Sequence, residues 1–169
     1  MEAKLEVWQR GPLPGISALL QPVAHALLQA REEVAELEAL INENLIWERP
    51  GGVASPGFHL QHLSGVLDRV FTYARNESLT EDQLIQLHDE DVSPNSLLTI
   101  TGLVTRFNMQ VDKALNQLKQ TDERTLTEFR PVGRKLLPST VIGLLVHGAE
   151  HTMRHLGQLR VTIMILSNN

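Results

Sequence analysis

The chain contains no cysteine. That absence excludes disulfides, cysteine-ligated zinc and a thiol nucleophile of the protein's own, and it points to a compartment where disulfides are not needed. Any metal must then be held by histidine, aspartate or glutamate. Positive charge is not in surplus either: 20 acidic side chains outnumber 15 basic ones, for a net charge of -5. The broad positive field of a nucleic-acid binder is therefore missing, and DNA is not an expected partner. No uninterrupted apolar run reaches the roughly 18 residues that mark a membrane span. The first residues, MEAKLEVWQRGPLPG, have charges where a signal peptide would have its apolar core. Together these absences predict a cytoplasmic protein that engages neither membrane nor nucleic acid. Strand signals are thin as well, since no window alternates apolar and polar residues for long and the β-branched residues sit inside helical patterns. There is no internal repeat.

What remains is helical periodicity. At 169 residues the chain is expected to form a single domain over 1–169, long enough to bury a sizeable core. Val23, Leu27, Ala30, Val34, Leu37 and Ile41 recur at alternating steps of four and three, the seam of a packed helix. Pro22 suits the first turn of that helix, which places its start near residues 18–21. A second helix is expected from Ser55 as N-cap and Pro56 at the first helical position to about Asn76, with a stripe of Leu60, Leu63, Leu67, Val70 and Ala74. The polar stretch NESLTEDQLIQLHDEDVSPNS follows and has room for a short helix. A third seam reads Leu97, Ile100, Val104, Phe107, Val111, Leu115 and Leu118. After a second connector, QTDERTLTEFRPVGRKLLPST, a fourth helix is expected from near Ser139 to about Leu166. Its inward positions read Val141, Leu144, Gly148, His151, His155, Gln158 and Thr162. Four long amphipathic helices satisfy one another in an all-α four-helix bundle with long connectors. Both connectors are long enough to cross the bundle, so the topology stays open.

The segment HGAEHTMRHLGQ, residues 147–158, carries three of the seven histidines, each four residues after the last. A step of four turns a helix by about 400°, so successive members differ by only about 40° and form one ridge. Among inward positions an imidazole is costly unless its nitrogens find partners, and a divalent cation is an economical shared one. His151 and His155, one turn apart, can bind the same ion, but a straight helix does not easily bring His147 onto it too. The second helix offers His59 and His62. His62, beside the inward Leu63, is the expected third ligand, with His59 or His147 supporting the ligands from behind or serving as an alternate. Three protein ligands leave coordination positions open, the pattern of a catalytic site. A single histidine on a bundle face is ordinarily a hydrogen-bonded core residue. Five of seven in two short segments favour the metal.

Gly65, Gly148 and Gly157 fall inside helices, where each costs about 1 kcal/mol relative to alanine; they leave room either for close packing or for a ligand. Glu150 and Arg154 are spaced as a surface ion pair. Arg130, Arg134 and Lys135 lie in the second connector, either as a solvated loop or as an attraction for an anionic substrate.

The pairing of SPGFHLQHLSGVLDRV with HGAEHTMRHLGQLRV resembles the DinB/YfiT-like family of bacterial metalloproteins, four-helix bundles with an early histidine on the second helix and a later HxxxHxGQ. The likeness spans residues from about 20 to 166, including the link LIWERPGG. It implies that His62, His151 and His155 are the metal triad and sets Gly157 and Gln158 on the family's glycine and glutamine. Leu156 stands where the family commonly has arginine. The resemblance further implies a nickel or zinc ion and, as cosubstrate, a low-molecular-weight thiol such as bacillithiol or mycothiol. The expected function is then a metal-dependent enzyme acting on a small molecule, either a thiol S-transferase or, with water in the thiol's place, a hydrolase. The alternative is a stress-response bundle that binds metal without turnover, its coordination closed by His59 or His147. A bundle whose histidines only bond one another is the third reading. Long apolar helices are compatible with a homodimer, though no residue demands one.

Overall fold

The computed structural model describes residues 4–91 and 98–167. Among them α1 (Gln21–Glu38) is entered through a 3-10 turn at Ala18–Leu20, and the expected seam from Val23 to Leu37 is buried along it. Helix α2 (Pro56–Ala74) opens where the sequence places its cap: the Phe58 N–H donates to Ser55 Oγ at 3.2 Å, and Pro56 takes a position where no N–H is missed. All five residues of its stripe are buried. The link before it is pinned to the first turn, with the Gly57 N–H donating to the Ile46 carbonyl at 2.7 Å and the Trp47 ring lying where a β-carbon on Gly57 would be.

The polar connector does contain a short helix, α3 (Glu81–Asp89), opened by a reciprocal cap between Thr80 and Gln83. Gln83 Nε2 also donates to Asp68 Oδ2 at 2.7 Å and Thr72 Oγ1 at 2.8 Å, which fastens α3 to α2. In α4 (Ile100–Gln120), Ile100, Val104, Phe107, Val111 and Leu118 are buried and Leu115 is half-buried; Leu97 lies outside the described residues. Helix α5 (Val141–Ser167) starts with Thr140 Oγ1 accepting the Gly143 N–H at 3.1 Å.

Helices α1 and α2 each pack against both α4 and α5. Consecutive α1 and α2 thus stand at diagonal corners of a four-helix bundle, as do α4 and α5. The second connector crosses the bundle, whereas the first joins neighbours. No helix among the described residues is long and apolar enough to cross a membrane.

Two expectations are corrected. The second connector is not wholly irregular: β1 (Phe129–Val132) and β2 (Leu137–Thr140) form an antiparallel hairpin in which Pro131 faces Pro138. Four-residue strands are too short to show alternation, and a two-stranded ribbon is all edge, where proline is tolerated. The inward line of the last helix is also displaced. Val141, Leu144, Gly148 and Thr162 are buried, but His151 and His155 are half-buried and Gln158 is exposed. Leu145, Ala149, Thr152, Leu156, Leu159 and Ile163 face the core instead, one residue on and so about 100° round the helix. The histidine ridge runs along the seam between α5 and α2 rather than through the centre.

Candidate metal centre

Because α2 and α5 are packed partners, the histidines at the start of one meet those in the middle of the other. His62, His151 and His155 each offer a ring nitrogen, and the three atoms all lie within 4.8 Å of one another. His62 Nε2 is 2.9 Å from His151 Nε2. The other expected residues take different positions. His59 is buried, and its Nδ1 lies 3.2 Å from Nδ1 of His155, so it stands behind that ring. His147 is half-exposed and packs its ring at 5.2 Å from His151, with Glu150 3.8 Å away. Gln158 faces a cavity beside His155.

The electrostatics favour neutral rings. Burial first, and then the neighbouring His62, push His59, His151 and His155 down to about 4. At neutral pH their lone pairs are available. Glu90, at the end of α3, supplies the orientation: its Oε2 accepts a hydrogen bond from His62 Nδ1 at 2.7 Å, and its Oε1 accepts one from Arg69 Nη1 at 2.6 Å. Burial works to raise the Glu90 carboxyl, but the bonds from His62 and Arg69 outweigh it and hold the group below the ordinary carboxylate range. An ionised carboxylate only accepts, so the His62 proton sits on Nδ1 and its Nε2 lone pair points into the cluster. His155 is treated alike: with Nδ1 taken by His59, the nitrogen it has left to offer is Nε2. The Phe58 ring stacks on His62 at 5.2 Å and 12°, fixing the plane.

Arg69 and Glu90 were not singled out in the sequence. Arg69 carries a faint signal, a cation inside the apolar run GVLDRV that needs a buried acid. Nothing marks Glu90 among the acids of HDED. Gly65 is explained with them, since a β-carbon there would overlap both Glu90 Oε1 and Arg69 Nη1. Arg154 does pair with Glu150, at 2.9 Å to one oxygen and 2.6 Å to the other. Arg130 is spent on holding the hairpin, donating to the carbonyl of Ala74 at 3.0 Å and to Glu128 at 2.9 Å; Arg134 and Lys135 are exposed at its turn.

The cluster suits a divalent cation. The nitrogen that His151 turns to the cluster is Nε2, while its buried Nδ1 has no hydrogen-bond partner among the described residues. Imidazole nitrogens about 2.0–2.1 Å from a tetrahedral ion stand roughly 3.3 Å apart, against 2.9 Å between His62 and His151 and at most 4.8 Å across the set. The charge of Glu90 is balanced by Arg69, so the ligand set itself is neutral. The arrangement is thus compatible with metal binding through His62, His151 and His155.

A crystal structure of a protein from Streptococcus pneumoniae superposes with a TM-score of 0.63, covering 90% of this chain and 91% of that one at 17% identity, which shows a shared fold. A search of the curated proteins finds no match. Residues 26–159, from α1 through both halves of the histidine cluster, match the family model of the DinB superfamily, and the chain belongs to that superfamily.

Proposed function

We propose that the protein is a divalent-metal-dependent enzyme that transfers a small thiol to an electrophile, with nickel or zinc held by His62, His151 and His155. The observation that carries this reading is the convergence of three imidazoles from two helices beside a cavity of 540 Å³ that His155 itself lines. A cation there supplies Lewis acidity, lowering the pKa of a thiol or water that reaches it. Neutral ligands leave the ion's double charge uncompensated, which favours an incoming thiolate over a neutral molecule. The family resemblance, which implies a low-molecular-weight thiol as cosubstrate, points the same way, and hydrolysis is the variant with water in the thiol's place. With no cysteine in the chain, the sulfur has to come from a cosubstrate.

The chain's own residues do the positioning. Glu90 keeps the proton of His62 on the far nitrogen, His59 engages the Nδ1 of His155, and Phe58 holds the His62 ring in plane. His59 is engaged behind His155 and His147 is turned outward, so neither closes the set. The test is a cobalt-substituted sample titrated with cysteamine, cysteine and bacillithiol while its absorption is followed. A new near-ultraviolet band with at least one thiol is expected. A cobalt spectrum indifferent to all three would refute the transferase, and failure to bind cobalt at all would refute the metal centre.

A further inference from the structure

Three glycines, Gly65, Gly148 and Gly157, lie beyond the first turn of the long helices, and packing explains two of them. A β-carbon on Gly65 would overlap Glu90 and Arg69, and one on Gly148 would press against Phe71 at 3.1 Å. One on Gly157 would meet nothing within 4 Å. Glycine in mid-helix is unfavourable relative to alanine, yet no protein neighbour of Gly157 requires it. What lies over Gly157 is the 540 Å³ cavity beside His155. On α5 that cavity is floored by Arg154, His155, Gly157, Gln158, Val161, Thr162 and Ile165, with Gly157 and Val161 along its outer edge and His155 at the inner one. Phe58 and His59 of α2 and Val53 and Ala54 of the preceding link complete the lining.

The walls are mostly apolar and their charge is already committed. Arg154 is held by both carboxylate oxygens of Glu150. His59 and His155 are engaged with each other through their Nδ1 atoms at 3.2 Å. Away from the metal end, a charged or sugar-like molecule would lose hydration against these walls without finding a free charged side chain among them. An apolar one would lose nothing, and the volume is ordinary for a small-molecule site.

We propose, building on the metal-dependent reading above, that this cavity receives the uncharged, apolar body of the electrophilic substrate, an alkyl or aryl group laid against the bare backbone of α5 at Gly157. The Gln158 amide is its polar handle, and its reactive end faces His155. The polar thiol approaches from elsewhere. Gly157 is then kept for the ligand at the expense of the helix.

The test uses the protein as purified and neutral probes that need no metal. Amide shifts in a nitrogen-labelled sample are followed during titration with p-cresol and cyclohexanol, and with benzoate and glucose for comparison. The two neutral apolar probes are expected to move the amides of residues 154–162 and 53–58, and benzoate and glucose to leave them in place. Gly157→Leu should weaken p-cresol binding at least tenfold with Tm no lower than that of the parent. Val161→Trp, which fills the mouth from an exposed position, should do the same should the first variant fold poorly. Unchanged p-cresol affinity in both variants, or binding of benzoate or glucose as tight as that of p-cresol, would overturn the proposal. So would a shift in sedimentation caused by the substitutions, which would make the bare face a contact between copies. A failed cobalt titration would remove the transferase while leaving these shifts intact, so the two failures are distinguishable.

Discussion

Glu90 Oε2 lies 2.7 Å from Nδ1 of His62 although the two are 28 residues apart. The carboxylate is buried and its other oxygen is bound to Arg69, so it does not reach a substrate and acts only through the imidazole. Outer carboxylates of this kind fix the tautomer and raise the basicity of the ligating nitrogen, and their loss typically costs about 10–100-fold in metal affinity. Glu90→Gln is expected to weaken cobalt binding within that range. Removing the acid also strands Arg69, which destabilises the fold in its own right. The double variant Arg69→Met with Glu90→Gln separates the two effects. It should recover much of the thermal stability while its cobalt affinity stays low; recovery of both would mean that Glu90 serves the fold alone.

The histidines divide into those in the cluster and those outside it. His62→Ala, His151→Ala and His155→Ala should each lose most bound metal by elemental analysis. His25, which contacts the Gly11 carbonyl at 3.1 Å, and the exposed His88 should be replaceable by alanine without loss. Equal metal content across the five variants would end the assignment of the centre.

Much of this arrangement was legible before any coordinates. Ser55 and Pro56 announce the start of α2, and the apolar stripes of α1 and α4 each have one solution because the opposite faces are polar enough; α2 is buried nearly all round, so its stripe marks only part of what faces the core. Helix α5 has two, since apolar residues occupy adjacent lines along it, and periodicity alone chose the line one residue early. The ridge of His147, His151 and His155 was readable from a spacing of four, but that spacing cannot show which members meet α2. Glu90 was invisible because its meaning lies in a contact between a connector and a distant helix turn. The hairpin escaped for a related reason: its strands are held by each other and by Arg130 against the end of α2, not by a pattern of their own.

The depressed histidines make the metal-free protein sensitive to acid. Unfolded, these imidazoles titrate near about 6.5, while in the fold burial and His62 hold His59, His151 and His155 at about 4. Between those values the unfolded chain binds more protons than the native one, so stability falls as pH falls. Carboxylates with lowered values, such as Glu90, begin to contribute only below the ordinary value of 4.5. Tm of the metal-stripped protein should therefore drop steadily from pH 6.5 to 4.5, and His59→Leu should flatten that slope. A Tm independent of pH across the window would show that the rings are not held neutral by the fold.

Gly65, Gly148 and Gly157, the glycines beyond the first turn of the long helices, give a stability series whose signs differ for stated reasons. Gly65→Ala drives a methyl group into the ion pair of Glu90 and Arg69, and overpacking of this kind costs about 1–3 kcal/mol. The same substitution should disturb His62, so metal affinity should fall together with stability. Gly148→Ala meets the edge of Phe71 at 3.1 Å, which a small ring shift accommodates, so its effect should be milder. Gly157→Ala meets nothing within 4 Å and replaces a poor helix former with the best one, for a gain of about 0.5–1 kcal/mol. Urea denaturation of the three variants should thus rank Gly157→Ala above the parent and Gly65→Ala below all others. If Gly157→Ala were destabilising, some unrecognised protein contact would demand that glycine, and the bare face at residue 157 would lose its meaning as a place kept open for a ligand.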